Sequence, residues 1–317
     1  MKTYIIYFFG IFLFMRLIDQ LRRGCMKGLA NRMKWGVPIL IISVGLLSAD
    51  LYGWLDGYGL WILSLTFGAG AIFEAISFPP LPGGSLRARQ LSWILVYAMV
   101  VTYLVQRCTS FFGDAVTSVE VSSSLLGAVL LLSTLVSTTL GFASNRSKGK
   151  LWTRVYSLLT VLWLSIPISC TLLLASLEGL ETSGIHLVLC TVLMVKGSDT
   201  GAYFVGRNFG RRPLHPISPK KTIEGLLAGI ASAAAIGYLY AEQLADPGFT
   251  PGMALFIGVL VAVVGQISDL QESALKRRVG RKDSGETIPG LGGALDMIDS
   301  LILVMPMVLW LRIVLDQ

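Results

Sequence analysis

The chain has 317 residues, of which 54% are hydrophobic and 14% charged, and its formal net charge is +7. Its mean hydropathy is +0.69. A soluble domain carries roughly 25% charged residues, so a water-soluble fold and a disordered chain are both excluded. A disulfide-stapled fold and a histidine-based metal centre are disfavoured, because there are two histidines and the four cysteines form no CxxC pair. The composition indicates a polytopic membrane protein.

Apolar runs long enough to cross about 30 Å of hydrocarbon predict nine transmembrane helices. They lie at 35–52, 58–78, 91–106, 124–142, 155–175, 185–204, 223–242, 251–271 and 300–316. Residues 3–15 are also apolar, but Arg16 follows at once and no small-residue cleavage site is present, which argues against a signal peptide. We therefore expect an all-α fold, a polytopic helical bundle of nine spans, or ten if 3–15 also crosses.

Basic residues occupy alternate loops between these spans. Of the 26 Lys and Arg residues, 22 lie in five segments, which are 16–34, 79–90, 143–154, 205–222 and 272–299. The positive-inside rule places these segments in the cytoplasm. We expect the protein to lie in the inner (plasma) membrane. Because the charge is divided among short loops, it predicts no nucleic-acid binding, although some of it can face anionic lipid head groups or an anionic substrate.

The chain changes character at about residue 180. Residues 1–180 read as an apolar scaffold of membrane helices, whereas 181–317 carry polar residues inside or beside spans. Lys196 and Asp199 lie in an apolar span, where each charge costs on the order of 2.5–3.5 kcal/mol. Their spacing of three puts them on one helix face. They form either a structural ion pair or the polar floor of a site.

The segment 217–225, Ile-Ser-Pro-Lys-Lys-Thr-Ile-Glu-Gly, opens the span at 223–242. Ser218 is a favoured N-cap residue and Pro219 suits the first helical position. Lys220 and Lys221 would then oppose the helix dipole in the first turn, a conflict that a bound anion removes. The segment predicts phosphate binding. The alternative is that the two lysines only set topology.

Three aspartates gather at the same predicted membrane face. Asp269 leaves the span at 251–271, and Asp296 and Asp299 share a helix face at the start of the last span. Clustered carboxylates in a low-dielectric region repel one another unless a hard cation binds them, and Mg²⁺ with substrate phosphates fits. The alternative is that Asp299 caps the helix and Asp269 pairs with Lys276 or Arg277.

The segment from Ser273 to Asp299 resembles the signature of the phosphatidate cytidylyltransferases (CDP-diacylglycerol synthases). The matching residues are Lys276, Arg277, Lys282, Asp283, Gly292, Gly293, Asp296 and Asp299. Earlier pieces agree in order and spacing, namely Asp199 to Tyr203 with Gly206 and Gly210, Ser218 to Gly225, and Ser268 to Leu270. The resemblance covers about the last 120 residues, and the rest of the chain matches only as apolar helices.

This resemblance implies an Mg²⁺-dependent transfer of CMP from CTP to phosphatidic acid, which gives CDP-diacylglycerol and pyrophosphate. It implies that the catalytic residues are Asp269, Lys276, Arg277, Lys282 and Asp283, the last by family pattern alone. It implies that the metal ligands are Asp269, Asp296 and Asp299, supported by Asp199. It further implies a triphosphate site formed by Ser218, Lys220, Lys221 and Thr222, and a site for the phosphates of either substrate formed by Lys276, Arg277 and Lys282.

The chain departs from the family pattern at two positions. Leu291 stands where the family has His before the paired glycines, and Met297 stands where it has Arg after the first late aspartate. The alternatives are a related CTP-dependent lipid transferase or polyprenol kinase, a family member without activity, and an ion-coupled transporter. A transporter would place its polar residues near mid-bilayer in broken helices, whereas these converge at one face. A homodimer is left open.

Overall fold

The structure is a computed structural model, and it is mostly helical. It describes residues 38–39, 41–50, 52, 54–55, 58–78, 150–176, 184–244, 249–281, 284–285 and 293–315. The predicted spans at 91–106 and 124–142 lie outside these residues, as does the segment 3–15.

Eight helices and two short strands make up the described part of the chain. The helices are α1 (Ile41–Asp50), α2 (Tyr58–Ala75), α3 (Lys150–Ser176), α4 (Gly184–Phe209), α5 (Ile223–Leu244), α6 (Pro251–Arg278), α7 (Ala294–Ile298) and α8 (Leu301–Leu315). The strands, between α4 and α5, are β1 (Pro213–His215) and β2 (Ser218–Thr222).

Six of the predicted spans coincide with helices that are long and apolar enough to cross a membrane. These helices are α2, Val155–Ala175 of α3, α4, α5, α6, and the α7–α8 segment Ala294–Leu315. The predicted span at 35–52 is represented by α1, which has only ten residues in its described part. The protein is therefore a helical membrane protein with at least six candidate spans.

Helices α4 and α5 pack closely because glycines on α5 let the two backbones approach. A Cβ atom on Gly225 would lie 2.7 Å from the carbonyl oxygen of Ala202, and one on Gly229 would lie 3.0 Å from that of Ser198. Small residues at such contacts are typical of helix packing in lipid, where burial from water gives no driving force. The four-residue glycine spacing therefore sets the distance between α4, which carries Asp199, and α5, which begins directly after β2 and Lys221.

The expectation that Ser218 caps helix α5 is wrong. Ser218 begins strand β2, which pairs antiparallel with β1 so that Pro213 lies opposite Thr222 and His215 opposite Ser218. Pairing with β1, and not the capping tendency of serine, decides the conformation at Ser218. This small hairpin is also an exception to the all-α prediction.

Thr222 takes the capping role instead. Its Oγ1 accepts a hydrogen bond from the backbone N–H of Gly225 at 3.1 Å, which satisfies one of the free donors in the first turn of α5. Glu224 fastens the hairpin to the helix, since its Oε2 accepts from the backbone N–H of Arg211 at 3.0 Å and of Arg212 at 3.3 Å. Lys220 and Lys221 therefore lie on a strand and not in a helical turn.

Helix α6 continues seven residues beyond its predicted span and ends at Arg278. Three basic residues in its last turn, Lys276, Arg277 and Arg278, suit the negative end of the helix dipole. Because the helix is extended, Asp269, Glu272 and Lys276 are placed on consecutive turns of one rigid element. The first part of the predicted loop 272–299 is thus helical.

Candidate functional site

A cluster of charged side chains lies at one end of the helical bundle. Helix α4 contributes Asp199, strand β2 contributes Lys221, and the last third of α6 contributes Asp269 and Glu272. Asp299 enters from the junction between α7 and α8. Four residues singled out from the sequence thus meet at one place although they come from four separate elements, namely Asp199, Lys221, Asp269 and Asp299.

Three carboxylates form the centre of this site, and we call them the carboxylate cluster: Asp269, Glu272 and Asp299. Each offers an oxygen that lies within 4.8 Å of the other two. Asp269 and Glu272 are three residues apart on α6 and therefore share a face of the helix. Asp299 is held by Ser300, whose backbone N–H and Oγ donate to Asp299 Oδ1 at 2.5 and 3.0 Å. Three oxygens at this spacing can coordinate one hard divalent cation.

Glu272 is the most buried member of the cluster. Its side chain is fully buried, with 0% exposed. Among the residues that the structure describes, none donates a hydrogen bond of regular geometry to either of its carboxylate oxygens. Lys276 Nζ lies 2.5 Å from Oε2 and forms an ion pair with it. Since an unsatisfied buried carboxylate is costly, its free coordination positions suit a metal ion.

Two lysines pair with members of the cluster. Lys221 donates to Asp269 Oδ2 at 2.5 Å and to Gln266 Oε1 at 3.0 Å. Lys276 lies between Glu272 and Asp296, with its Nζ 2.5 and 2.6 Å from one oxygen of each. Lys221 is partly exposed, by 21% of its side chain, whereas Lys276 is mostly buried, with 11% exposed.

Behind the cluster, Gln266 connects Lys221 to Asp199. Its Nε2 donates to Asp199 Oδ1 at 3.3 Å while its Oε1 accepts from Lys221. Lys196 Nζ lies 4.0 Å from Asp199 Oδ2 and donates to the backbone carbonyl of Met297 at 2.9 Å. The predicted contact between Lys196 and Asp199 is present, and it belongs to a larger polar network that joins α4, α6 and α7.

Asp296 lies beside the carboxylate cluster and is not one of its three members. Its Oδ1 accepts from Lys276 at 2.6 Å, and its Oδ2 accepts from the backbone N–H of Gly293 at 3.1 Å and from Ser284 Oγ at 2.9 Å. All three contacts tie Asp296 to other groups of the protein. The role of Asp296 as a metal ligand stays a prediction. The third carboxylate beside Asp269 and Asp299 is that of Glu272.

The other predicted site residues are placed around the cluster as follows. Lys220 is exposed on β2, Ser218 is half-buried, and Thr222 caps α5. Arg277 is exposed and donates to the carbonyl oxygen of Arg281 at 3.1 Å. Lys282 and Asp283 lie outside the described residues.

Sequence reasoning assigned no role to Glu272, Gln266 or Glu74. Glu272 follows Asp269 by three residues, so the same spacing rule that grouped Asp296 with Asp299 would have found it. Glu74 is an acidic residue inside an apolar span, which by itself marks a functional position. Gln266 has no comparable signal, because a single uncharged polar residue in a span is unremarkable.

Comparisons with known proteins agree with one another. A family model described as "Cytidylyltransferase family" matches residues 31–315. A Bacillus subtilis protein named phosphatidate cytidylyltransferase is 32% identical over 280 residues, which cover 85% of this chain and 96% of that protein. A Staphylococcus haemolyticus protein of the same name is 31% identical over 62% of this chain and 70% of its own length. A Helicobacter pylori protein, also of that name, is 43% identical over 38% of this chain and 44% of its own length.

Proposed function

This chain belongs to the cytidylyltransferase family, and from that premise we propose that it transfers CMP from CTP to phosphatidic acid. A phosphate oxygen of phosphatidic acid attacks the α-phosphorus of CTP. The bond from that phosphorus to the bridging β-phosphate oxygen breaks, and pyrophosphate leaves. The product is CDP-diacylglycerol. The observation that carries the proposal is the carboxylate cluster flanked by Lys221 and Lys276 at one end of a membrane bundle.

The carboxylate cluster is the proposed site of a divalent cation, Mg²⁺. The fit rests on three convergent oxygens and on the buried carboxylate of Glu272. When bound, the ion would neutralise charge on the phosphate oxygens and help to orient both anionic substrates. Asp269, Glu272 and Asp299 would hold it, and the predicted contribution of Asp296 comes through Lys276, which pairs with both Glu272 and Asp296.

Lys221 is the proposed ligand of the CTP phosphates. It lies on the hairpin between α4 and α5, and its ammonium group contacts Asp269. A phosphate that enters beside Asp269 would therefore meet both the lysine and the proposed ion. Charged donors preorganised in a low-dielectric site stabilise developing negative charge without reorganisation. Ser218, Lys220 and Thr222 are proposed to line the same approach, as the family resemblance implies.

Lys276 is the proposed partner of the phosphatidic acid phosphate, with Arg277, Lys282 and Asp283 in the adjoining segment. Its ammonium already lies between two carboxylates, so a substrate phosphate would compete for it at the edge of the cluster. A membrane-embedded bundle with a polar end suits a reaction between a lipid and a water-soluble nucleotide, since each substrate can approach from its own phase.

The orientation and the division of the chain are also proposed. The basic loops support a cytoplasmic orientation of the polar end, where CTP is available. Residues 181–317 would form the catalytic region and 1–180 the supporting scaffold, apart from the contact of Glu74 described below. Assembly as a homodimer remains an expectation of the same kind.

The experiment uses purified protein in detergent with phosphatidic acid and Mg²⁺, and with CTP labelled at either the α- or the γ-phosphate. We expect α-label in the lipid product and γ-label in released pyrophosphate. A kinase that accepts this lipid would instead put γ-label into the lipid and release CDP. No transfer from either position, with folded protein, would refute the proposed transfer of CMP to phosphatidic acid.

A further inference from the structure

Glu74, near the end of α2, contacts the segment between α6 and α8 although more than 200 residues separate them in sequence. Its Oε1 accepts from the backbone N–H of Ala294 at 2.9 Å. Its Oε2 accepts from the backbone N–H of Leu295 at 3.0 Å and from Ser284 Oγ at 2.8 Å. The residue is only 3% exposed, so these bonds form where water does not compete for the donors.

Two described parts of the connection between α6 and α7 meet this carboxylate, namely Ser284–Gly285 and Gly293. A Cβ atom on Gly285 would lie 2.9 Å from Glu74 Oε1, and one on Gly293 would collide with Glu74 Oε2 and with Ser284 Oγ. Glycine at both positions lets the backbone close around the carboxylate. One side chain of α2 thereby holds both Ser284 and the start of α7.

Neighbouring residues hold the same end of α2 against the connection. Arg281 Nη1 donates to Ser77 Oγ at 3.2 Å, and its guanidinium lies 5.8 Å from the centre of the Phe78 ring, within range of a cation–π contact. Tyr156 of α3 donates to the carbonyl oxygen of Ala75 at 3.0 Å and is fully buried. Glu74 therefore projects from a helix end that is itself anchored.

A continuous chain of contacts leads from Glu74 to the carboxylate cluster. Ser284 Oγ lies 2.8 Å from Glu74 Oε2 and 2.9 Å from Asp296 Oδ2. Lys276 then joins Asp296 to Glu272. A shift of Ser284 and the start of α7 would therefore shift the carboxylate of Asp296, and the ammonium of Lys276 would follow it.

We propose that Glu74 is a positioning residue for the reaction. It acts from the N-terminal half of the chain, where it holds Ser284 and the start of α7. Asp296 and Lys276 thereby keep their positions beside the carboxylate cluster. This inference rests on the proposed function. Glu74 touches neither substrate. It sets the geometry of residues that do.

Glu74→Gln tests the inference, because the amide keeps the shape and replaces one acceptor oxygen by a donor. A hydrogen bond to a charged group supports an expected loss of roughly 10- to 150-fold in kcat/KM. The loss should fall mainly on kcat, since Lys221 and β2 are untouched and the KM for CTP should change little. Hydrogen exchange should be faster in the peptide 284–298, which carries the amides of Ala294 and Leu295.

Asp50→Asn is the matched control. Asp50 is also buried, and it accepts from the backbone N–H groups of Gly59 and Leu60 at 3.0 and 2.6 Å, at the other end of α2. It performs the same capping chemistry far from the carboxylate cluster. We expect its replacement to lower the thermal midpoint while leaving kcat per folded molecule and exchange in 284–298 near those of the wild type.

Ser284→Ala provides a second variant. It removes the hydroxyl that contacts both Glu74 and Asp296, and it makes only a small change in side-chain volume. If Glu74→Gln does not fold, Ser284→Ala should still lower kcat. The inference would be overturned if the folded variants kept a near-normal kcat and unchanged exchange in 284–298. It would also be overturned if Glu74→Gln lowered kcat only as much as Asp50→Asn does. Absence of CDP-lipid formation by the wild type would instead refute the proposed function, and the exchange measurement would still decide whether Glu74 holds the connection.

Discussion

The acidic residues of the site have different partners. Lys221 pairs with Asp269, while Lys276 lies between Glu272 and Asp296. Asp299 accepts hydrogen bonds from Ser300. Acidic residues that look equivalent in the sequence therefore have different neighbours, and their replacement should have different consequences.

Asp299→Asn should raise the Mg²⁺ concentration needed for half-maximal activity. Residues that only support metal ligands typically account for 10- to 100-fold in affinity or activity, so we expect at least about 100-fold for a ligand itself. The protein should still fold, because an asparagine oxygen can accept from Ser300 and a neutral group relieves repulsion within the cluster. The measurement is CDP-lipid formation across an Mg²⁺ titration, and an unchanged titration midpoint would remove Asp299 from the metal site.

Asp296→Asn distinguishes the two roles open to Asp296. We expect loss of CDP-lipid formation at every Mg²⁺ concentration, because Lys276 and Ser284 lose the carboxylate that orients them. If Asp296 is also a ligand, the residual activity will require more Mg²⁺, as in Asp299→Asn. Near-normal turnover would show that Asp296 is only a cap at the start of α7.

At the scale of elements, strand β2 explains why two adjacent lysines differ. Successive side chains of a strand point to opposite sides, and Lys220 is exposed while Lys221 reaches Gln266 and Asp269 on α6. In the first turn of a helix both lysines would have lain at the same end of the helix. On the strand, only Lys221 of this pair contacts the site.

Lys221→Ala should lower kcat/KM for CTP by roughly 10- to 150-fold, the range for losing a charge-assisted hydrogen bond, with little change in the KM for phosphatidic acid. Lys220→Ala is the comparison, and it should cause the smaller loss. Steady-state kinetics with each substrate varied in turn measures both. Equal effects of the two substitutions, or a lower yield in the membrane with unchanged kinetics, would mean that these lysines act in topology alone.

At the scale of the whole molecule, two distant connections meet at one end of the bundle. The contact of Lys221 with Asp269 joins the hairpin between α4 and α5 to the last third of α6, and only the pair α5 and α6 separates that hairpin in sequence from the segment after α6. An antiparallel pair of spans returns the chain to the side from which it started. Both basic connections should therefore lie on the same face of the membrane.

Cysteine labelling tests this arrangement in a variant without the native cysteines. We expect Arg212→Cys and Arg278→Cys, at exposed positions of the two connections, to react with a membrane-impermeant maleimide from the cytoplasmic side. Gly252→Cys, exposed at the other end of α6, should react only from the opposite side. Labelling of residues 212 and 278 from opposite faces would contradict both the topology and the shared site.

The sequence by itself determined the membrane class, six of the helices and the family. Hydrophobic runs are long-range averages over about twenty residues, so single contacts do not alter them. Asp199, Lys221, Asp269 and Asp299 were also found from the sequence, because a charge in or beside an apolar span is costly and therefore conspicuous.

Only the tertiary structure decided which of these residues meet. It placed Ser218 on a strand and gave the cap of α5 to Thr222, since pairing with β1 outweighs a local capping preference. It brought Glu272 into the carboxylate cluster while Asp296 lies beside it, and it joined Glu74 to Ser284 across 210 positions of the chain. Such contacts depend on how helices distant in sequence pack against one another, and no local pattern of residues specifies that packing.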